Sequence, residues 1–380
     1  MRVLIDYRAA LREPSGVGEY THEVARALLK RRKRGSGADS SIDLTLFSSS
    51  WKDRLLPSPD LADAAIVDRR VPVRVLNFAW HRLEWPGAET LTGETFDVVQ
   101  SMHPLLMPSR HAAQVVTICD LNFLTNPERT RAEIRRDYAE LARAHAARAD
   151  RVIVISDFTR REVQRLLDVP ADRISMAVPG APDWPAREHE PQDGYLLFFG
   201  TLEPRKNIGA LLDAYEMLSV KHRDLPPLVL AGHATEAARP WLERINRPPL
   251  AGRVRHVGYV SPGDRQTLYQ GARLLVHPAH EEGFGLTVLE AMTVGVPVVA
   301  ANRGALPEVG GDAVVLADPD QPDALAGAIE RVLGDSALSS RLSTDGRARS
   351  RLFSWDQTAE STCTAYAAAV ARRSARRGAA

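Results

Sequence analysis

The apolar positions of the chain form short β-branched or apolar runs that alternate with longer amphipathic stretches. In the first half the short runs predict strands at residues 3–5, 43–47, 97–100, 115–118 and 152–155. Between some of these runs, residues 19–30 and 131–148 combine a 3.6-residue spacing of apolar positions with strong helix formers. The alternation predicts a parallel sheet wrapped by helices.

The second half repeats this pattern. Its short apolar runs predict strands at residues 195–199, 228–231, 254–256, 274–276 and 296–300. Helical stretches such as residues 208–218 and 287–294 separate them. The sequence therefore predicts an α/β protein of two doubly wound, Rossmann-like domains.

A proline-rich segment marks the boundary between these domains. Residues 178–192 contain four prolines and a glycine, and such a stretch sustains neither a helix nor a central strand. A chain of 380 residues also has the length of two ordinary domains. We predict an N-terminal domain over residues 1–180 and a C-terminal domain over residues 193–355. Residues 356–380 are expected to form a helix that crosses back to the first domain and frays at its end.

Composition limits the possible partners and cellular compartment of the protein, but it does not identify the function. With 44% hydrophobic residues and a formal net charge of +1, the chain has no global attraction to nucleic acid. Its two cysteines, Cys119 and Cys363, are too few for a disulfide framework, so free thiols in a reducing compartment are expected. No apolar stretch has the length of a signal-peptide core or a membrane span, which favours a cytoplasmic location.

Five consecutive cations, residues 30–34, close the first long helix. A helix dipole favours positive charge at this end, so a solvated helix terminus is one interpretation. The other is a docking surface for anionic lipid on the inner face of the membrane, supplemented by arginines of the C-terminal tail. The sequence leaves both open.

The most informative segment runs from Glu282 to Glu290, after a predicted buried strand and into a predicted helix. Its glycines allow a bound group to approach the backbone, and the N–H groups of a helix start favour a phosphate. Glu290, about one turn inside the helix, could accept hydrogen bonds from two ribose hydroxyls, whereas Glu282 could reach a sugar ring. A tight turn with surface glutamates is the alternative. The proposed donor-binding residues here are Gly283, Phe284, Gly285, Leu286, Thr287 and Glu290.

A second loop, residues 199–207, also follows a predicted strand and precedes a helix. After Gly200 it carries Arg205, which can bind two phosphate oxygens at once, and Lys206, which supplies a compact charge. The two cations suit a diphosphate and would stabilise it as it leaves, although they could also be solvated loop charges.

The first half offers weaker candidates. Gly16 and Gly18 precede the first long helix and could place further backbone donors at a ligand, or form an ordinary turn. His103 follows a predicted strand and could contact a sugar or an acceptor, and a solvated loop histidine is equally compatible.

Together these residues resemble the family 4 retaining glycosyltransferases of GT-B fold, in particular their bacterial mannosyl- and rhamnosyltransferase-like branch, over nearly the whole chain. The resemblance rests on the Glu-x7-Glu pair, on Gly200 with residues 203–207, and on residues 295–298 and 306–308. It implies two Rossmann-like domains that face a central cleft. It also implies that Glu282 contacts the donor sugar, Glu290 the ribose, residues 283–287 the diphosphate and Lys206 the leaving phosphates.

The same resemblance matches the family's glycine loop to Gly16 and Gly18, and its base-contacting backbone to Val260. One departure concerns Cys119, which stands before Asp120 where many relatives carry a sugar-contacting histidine. A thiol cannot copy the strong hydrogen bond of an imidazole. Where other members carry an arginine this chain has Thr201, which leaves Arg205 to provide that charge.

We expect neither a metal nor a cofactor. The Asp318-Pro319-Asp320 triplet is the one acidic pair with the look of a metal site, and its position before a predicted helix favours a capping turn. Arg205, Lys206 and a helix start would neutralise a diphosphate without a divalent ion.

The expected activity is transfer of a sugar from a nucleotide diphosphate donor to a hydroxyl of a glycan, a lipid-linked glycan or a glycoside, with Glu282, Lys206 and Arg205 as catalytic residues. Retention of configuration and GDP-mannose as first donor follow from the resemblance. A UDP-sugar is the second choice of donor. A GT-B nucleotide-sugar epimerase or phosphorylase, and a non-catalytic nucleotide-sugar-binding protein, remain as alternatives.

Overall fold

The computed structural model describes residues 1–11, 16–34, 42–56, 58–126 and 138–378, and residues 131–137 of the predicted helix 131–148 lie outside them. The chain forms two compact units. The first comprises Met1–Gly180 together with Ser354–Ala380, and the second comprises Ala181–Phe353.

The first unit contains a seven-stranded, all-parallel sheet in the order β3-β2-β1-β4-β5-β6-β7. The strands are β1 (Arg2–Asp6), β2 (Asp43–Ser49), β3 (Ala65–Arg69), β4 (Val98–Ser101), β5 (Ala113–Ile118), β6 (Arg151–Val154) and β7 (Ile174–Met176). The five inner strands coincide with the predicted apolar runs, because helices cover both faces of a parallel sheet and leave no polar alternation. The two edge strands were not predicted, since β3 is only partly buried and β7 has three residues.

Helices of the first unit connect these strands. They are α1 (Val17–Arg34), α2 (Val73–Leu83), α3 (Ala88–Thr92), α4 (Asn122–Thr125), α5 (Tyr138–Arg148) and α6 (Asp157–Leu167). On α1 the buried face includes Tyr20, Val24 and Leu28, which follow the i, i+4, i+8 spacing of one helix face.

The second unit contains a six-stranded parallel sheet in the order β10-β9-β8-β11-β12-β13. Its strands are β8 (Tyr195–Phe199), β9 (Leu228–Ala231), β10 (Val254–Gly258), β11 (Ala272–His277), β12 (Val298–Ala301) and β13 (Val315–Ala317). Its helices are α7 (Ile208–Lys221), α8 (Arg239–Arg244), α9 (Pro262–Gln270), α10 (Leu286–Val294), α11 (Leu306–Gly310), α12 (Pro322–Gly334) and α13 (Ser336–Ser350).

Residues 181–192, which the sequence suggests as linker, lie with the second unit. Arg187 ties this segment down, because its backbone N–H donates to the carbonyl of Val294 at 2.9 Å and its Nη1 donates to the carbonyl of Ala272 at 2.5 Å. The prolines thus prevent a helix or strand in this segment, but the segment is still hydrogen-bonded to the second unit.

The last helix, α14 (Trp355–Gly378), belongs to the first unit. Its Thr358 hydroxyl donates to the carbonyl of Val178 at 2.5 Å, and its Tyr366 hydroxyl donates to the side chain of Gln100 on β4. A Cβ at Gly180 would lie 2.2 Å from the backbone nitrogen of Trp355, so only glycine permits this close approach. The helix continues to Gly378.

The strand order reverses once in each sheet, between β1 and β4 in the first unit and between β8 and β11 in the second. In open α/β sheets, ligands bind beyond the carboxyl ends of the strands at such a switch point. The fold therefore predicts that the loops after these four strands bind ligands.

Candidate active site

Three glycines bring the carboxyl ends of β8, β9 and β10 close together. A Cβ at Gly232 would lie 2.1 Å from the carbonyl oxygen of Gly200, and Gly232 has a φ of +129°. The N–H of Gly232 donates to the carbonyl of Gly258 at 2.7 Å. The close contact leaves no room for a side chain at Gly232, so the loops after β8 and β9 meet through their backbones there.

The loop after β8 and the loop after β11 meet at the switch point of the second unit. Lys206, at the end of a 3-10 turn over Pro204–Lys206, forms an ion pair with Glu282. The two residues are only 8% and 9% exposed. Arg205 Nη1 lies 3.5 Å from the other carboxylate oxygen of Glu282, and Arg205 Nε donates to Glu203 Oε1 at 2.6 Å. The structure therefore brings the three residues predicted as catalytic into one cluster.

Burial and neighbouring charge act in opposite directions on Glu282. Burial raises the pKa of its carboxyl, but the cations of Lys206 and Arg205 outweigh this and hold the pKa well below its usual range. Burial lowers the pKa of Lys206, Arg205 adds to that effect, and Glu282 opposes it. Glu282 is consequently a carboxylate that can accept hydrogen bonds and cannot donate one.

His277, the last residue of β11, is part of this cluster and was not predicted from the sequence. Its Nε2 lies 3.0 Å from Glu282 Oε1, and a carboxylate only accepts, so this nitrogen carries the hydrogen. Its Nδ1 then accepts from the Thr287 hydroxyl at 3.2 Å. Burial lowers the pKa of His277, which keeps the ring neutral. The signal available in the sequence was a histidine at the end of a buried strand.

The loop after β12 contacts the turn that leads from β11 into α10. A Cβ at Gly304 would lie 2.6 Å from the carbonyl oxygen of Glu282, which accepts from the N–H of Ala305 at 2.9 Å. Gly285 precedes α10 with a φ of +108°. The contacts fix the backbone of Glu282 beside the start of α10.

The five residues 283–287 have different environments. Phe284 is buried and its ring packs edge-on against Phe353 at 5.8 Å, so its side chain belongs to the core. Leu286 and Thr287 open α10, and the first N–H groups of a helix have no intrahelical acceptor. Gly283 and Gly285 contribute backbone groups to this segment and have no side chains that would cover them. The segment can present N–H groups to an anion, and binding of a diphosphate there stays a prediction.

Glu290 lies on α10 and is held by two side chains of α9. Its Oε1 accepts from Arg265 Nη1 at 2.7 Å, and its Oε2 accepts from the Tyr269 hydroxyl at 2.6 Å. The Arg265 guanidinium also lies over the ring of Phe199, 5.4 Å from its centre. An ionised carboxylate is an acceptor with about four lone-pair sites, so it can accept several hydrogen bonds at once. Neither Arg265 nor Tyr269 was predicted, although their i, i+4 spacing on one helix face was the available signal.

Val260 follows β10 by two residues. The preceding Tyr259 stacks on His233 with ring centres 5.0 Å apart, and Gly258 has a φ of +71°. The structure thus places Val260 beyond the carboxyl end of β10, on the same edge of the sheet as Gly200.

In the first unit, Asp6 and Arg8 form a buried cluster at the switch point. Arg8 Nη2 and Nε donate to Asp6 at 2.6 Å and 2.8 Å, and its guanidinium lies 4.4 Å from the centre of the Trp80 ring. Burial raises the pKa of Asp6, but Arg8 and His103 outweigh this and hold it well below its usual range. The cluster is a second charged site, distinct in composition from that of the second unit.

His103 joins this cluster. Its Nδ1 accepts from the N–H of Leu105 at 3.2 Å, so its Nε2 carries the hydrogen and donates to Asp6 Oδ2 at 3.3 Å. The ring is partly exposed. His103 is therefore a positioned donor for Asp6 rather than a solvated loop residue.

The two glycines before α1 differ from one another. A Cβ at Gly18 would lie 2.6 Å from the carbonyl oxygen of Ala9, so this glycine permits close packing of α1 on the turn Tyr7–Ala10. Gly16 is exposed, with a φ of +53° and open space around its Cα. Of the two, Gly16 alone presents backbone to solvent.

Cys119 and Asp120 lie beyond the carboxyl end of β5. Burial raises the pKa of the Cys119 thiol, with Asp120 adding to the effect, so the thiol stays protonated. Asp120 Oδ1 accepts from the N–H of Asn122 at 3.2 Å, at the start of α4. A protonated thiol is a weak donor, so the role of Cys119 as a sugar contact stays a prediction.

Asp318 and Asp320 are engaged by the protein itself. Arg303 Nη2 lies 3.0 Å from Asp318 Oδ1 and 3.2 Å from Asp320 Oδ2, and His280 Nδ1 lies 3.2 Å from Asp320 Oδ1. Within the described ranges, no group of three or more histidine, cysteine or acidic side chains has an arrangement that could hold a metal ion.

Comparison with known families accounts for nearly the whole chain. Residues 182–349 match the model described as glycosyl transferases group 1, and residues 14–182 match the model described as glycosyltransferase family 4. The O-antigen chain mannosyltransferase B of Escherichia coli is 36% identical over 272 residues, which are 68% of this chain and 71% of that protein. The serotype-specific mannosyltransferase WbdA of Escherichia coli is 32% identical over 266 residues, 65% of this chain but 32% of its own length.

Solved structures agree on the architecture. Sucrose-phosphate synthase from Thermosynechococcus elongatus superposes with a TM-score of 0.73 at 20% identity, covering 94% of this chain and 96% of that one. WaaG, a glycosyltransferase involved in lipopolysaccharide biosynthesis, superposes with a TM-score of 0.72 at 16% identity, covering 96% and 98%.

Two Rossmann-like units of this topology form the GT-B fold, and the family matches identify the protein as a glycosyltransferase. The chain belongs to glycosyltransferase family 4. The predicted fold class, the resemblance and the enzyme class are thereby confirmed.

Proposed function

We propose that this glycosyltransferase moves mannose from a nucleotide diphosphate mannose, with GDP-mannose as first candidate, to a hydroxyl of a bacterial surface glycan. The mannosyltransferase names of the two curated relatives support the sugar and the acceptor class. The observation that carries the donor site is the Lys206–Glu282 ion pair, which lies at the switch point beside the start of α10.

The diphosphate binds where positive charge and N–H groups converge. Negative charge grows on the β-phosphate as the glycosidic bond breaks, and Lys206, Arg205 and the first N–H groups of α10 stabilise it. In the free enzyme Glu282 and Glu203 balance the two cations. The arriving diphosphate then shares Lys206 with Glu282.

Glu282 then contacts the sugar. It is ionised, and neutral His277 holds one of its oxygens, so the other oxygen accepts from a hydroxyl of the sugar ring. Glu290 accepts from the ribose hydroxyls, and the backbone at Val260 contacts the base. Because backbone groups read the base, a UDP-sugar is the second candidate donor.

The reaction proceeds with retention of configuration and without a covalent enzyme intermediate. A phosphate oxygen of the donor takes the proton of the acceptor hydroxyl as the new bond forms. The acceptor binds in the first unit, where Arg8 offers N–H donors beside Asp6 and His103 orients the Asp6 carboxylate. The acceptor is a glycan end or lipid-linked glycan made at the cytoplasmic face of the membrane.

The first experiment is a thermal-shift screen with GDP, UDP and ADP, followed by transfer assays with GDP-mannose and UDP-glucose. GDP should raise the melting temperature most, and Lys206→Ala should lower kcat about 100-fold or more, as expected when a charge that stabilises a transition state is lost. The matched control is Lys221→Ala, which removes a surface lysine that pairs with Glu330 in the same unit. Proton NMR of the product reports its anomeric configuration.

The outcomes separate the alternatives. If none of the three nucleotides stabilises the protein, the donor site is wrong. Binding without turnover would identify a non-catalytic nucleotide-sugar-binding protein. Conversion of the nucleotide sugar without an acceptor, or a requirement for free phosphate, would identify an epimerase or a phosphorylase.

A further inference from the structure

Two aromatic rings stack on each other beyond the carboxyl ends of β9 and β10 in the second unit. Tyr259 is the first residue after β10, and His233 is the second residue after β9. Their ring centres lie 5.0 Å apart, and the ring planes make an angle of 21°. The two loops thus each contribute one ring to a single stacked arrangement, which we call the His233–Tyr259 pair.

This pair is exposed, whereas the other large aromatic side chains of the unit are covered. Tyr259 is 40% exposed, and His233 is also exposed. The structure describes every residue of the second unit, and no other phenylalanine, tyrosine or tryptophan there is exposed. Ligand sites are lined mainly by apolar and aromatic side chains, and in open α/β sheets they lie at this edge of the sheet. The pair is therefore a candidate ligand contact.

Hydrogen bonds fix the backbone that carries the two rings. The N–H of Gly232 donates to the carbonyl of Gly258 at 2.7 Å, so the residues directly before His233 and Tyr259 are tied to each other. His256 Nε2 donates to the carbonyl of Gly232 at 2.8 Å, since a carbonyl only accepts. Rings held in this way lose little further conformational freedom when a ligand binds to them.

The pair is also connected to both proposed nucleotide contacts. The N–H of Leu202 donates to the carbonyl of His233 at 2.7 Å, and Leu202 precedes Arg205 by three residues in the loop after β8. Val260, whose backbone is proposed to contact the base, directly follows Tyr259. The pair is thus hydrogen-bonded to the diphosphate loop on one side and continuous with the base contact on the other.

We propose that the His233–Tyr259 pair is the surface on which the base of the donor stacks, and that it favours a purine over a pyrimidine. The inference rests on the nucleotide site proposed above. The base packs on the Tyr259 ring, which His233 supports, while the backbone at Val260 bonds to the edge of the base. Backbone groups accept either class of base. The preference comes from stacking area, because a purine has two fused rings and a pyrimidine has one.

Stacking is strong enough to set such a preference. Removal of an aromatic side chain that stacks on a base weakens binding about 5-fold to 100-fold. A pair that only covered the ends of β9 and β10 would affect all nucleotides alike, since its loss would disturb the loops whichever base was bound. The ratio of purine to pyrimidine affinity therefore separates a base contact from a structural role.

Calorimetric titration of the full chain with GDP and with UDP, in the absence of any acceptor, tests the inference. The wild type should bind GDP more tightly than UDP. Tyr259→Ala should weaken GDP binding about tenfold or more and UDP binding about threefold or less. Tyr259→Phe keeps the ring and should retain the affinity for both nucleotides. His233→Ala should reduce the same preference to a smaller extent, because the tyrosine ring remains.

Inorganic pyrophosphate separates this inference from the donor site itself. It carries a diphosphate without a base, so its affinity, measured by displacement of GDP, should be the same in the wild type and in Tyr259→Ala. The matched control variant is Val257→Ala, which shortens a side chain that is 43% exposed on the same edge strand. It should leave the affinities for both nucleotides unchanged. Urea unfolding of each variant checks that the fold is retained.

Proton NMR of bound GDP reports the stack directly. The guanine C8 proton should shift upfield on binding to the wild type, as a proton does over the face of an aromatic ring, and Tyr259→Ala should remove most of that shift. A wild type that prefers UDP, equal weakening of GDP and UDP in Tyr259→Ala, or an unchanged C8 shift in that variant overturns the inference and leaves the donor site standing. If GDP, UDP and pyrophosphate all fail to bind the wild type, the donor site is wrong and the inference falls with it.

Discussion

Arg265 on α9 and Glu290 on α10 form a buried ion pair, with Nη1 2.7 Å from Oε1. The Tyr269 hydroxyl holds the other carboxylate oxygen at 2.6 Å. The carboxylate proposed to bind the ribose therefore has a fixed position before any nucleotide arrives. This preorganisation reduces the conformational entropy that binding would otherwise cost.

Removal of Arg265 should destabilise the second unit. Arg265→Met removes the ion-pair partner of a buried carboxylate, which should cost about 3 kcal/mol of unfolding free energy. GDP affinity should fall as well, because the carboxylate loses its fixed orientation. Urea unfolding and calorimetric titration with GDP measure the two effects.

A second substitution separates the effect of the buried charge on stability from the effect of the carboxylate on GDP affinity. Adding Glu290→Gln to Arg265→Met removes the buried charge whose ion pair was lost, and it should recover most of the stability without recovering GDP affinity. The control is Arg244→Met, whose partners Asp213 and Glu216 lie at the surface, and it should cost less than about 1 kcal/mol. Equal losses for Arg265→Met and Arg244→Met would contradict the prediction.

Glycine at position 232 should be essential to the donor site. A Cβ there would lie 2.1 Å from the carbonyl oxygen of Gly200, so Gly232→Ala must push the loop after β8 away from the sheet. The strained φ of +129° adds a cost on the order of 1 kcal/mol or more. Donor turnover should fall with stability, because Arg205 and Lys206 lie on the displaced loop.

Gly327 provides the opposite case within the same unit. It lies inside α12, where a Cβ would meet no atom within 4 Å, so Gly327→Ala should raise the unfolding free energy by about 0.5–1 kcal/mol. Thermal unfolding and donor hydrolysis are measured for both variants. A Gly232→Ala enzyme with wild-type stability and turnover would show that the close approach of the two strand ends is unimportant.

The apolar runs predicted most strands because helices cover both faces of these parallel sheets. β3 and β7 were not predicted because β3 is only partly buried and β7 has only three residues. The loops after β8 and β11 were also predictable, since their chemistry is local in sequence. The contacts between Arg265 and Glu290 were not, because helical spacing identifies a face without identifying the helix opposite. Phe284 lies in a recognisable motif, yet its side chain packs in the core, which only tertiary structure reveals.

Acid should destabilise the first unit through two histidines. Burial lowers the pKa values of His81 and His145 to about 4, and their rings lie edge to face at 6.2 Å. His145 Nδ1 accepts from the N–H of Leu106 at 2.7 Å, so a proton there would break this bond. The unfolded chain binds protons below about pH 6.5, whereas the folded chain resists them until about pH 4.

Stability from these groups is therefore complete above about pH 6.5 and is lost progressively as the pH falls toward 4. His145→Gln should flatten the dependence of unfolding free energy on pH in this window. His111→Gln, at an exposed position in the same unit, should leave it unchanged. Urea unfolding at several pH values between 7 and about 4 gives the comparison. Parallel curves for wild type and His145→Gln would rule out this source of acid sensitivity.

Substitution of Arg8 should lower kcat/KM for the acceptor without changing the affinity for the nucleotide. Its guanidinium donates twice to Asp6, once to Asn77 Oδ1 at 2.9 Å, and lies over Trp80 at 4.4 Å. Lysine keeps the charge but cannot reproduce this fork or its stacking. Arg8→Lys should lower kcat/KM for the acceptor about tenfold or more, the scale of losing charge-assisted hydrogen bonds. GDP affinity should stay within twofold of wild type, because the diphosphate contacts proposed above lie in the second unit.

The control is Arg26→Lys, which alters a surface pair with Glu23 and should change neither quantity. A drop in GDP affinity without a change in acceptor kinetics would assign Arg8 to the donor and contradict the division of roles between the two units.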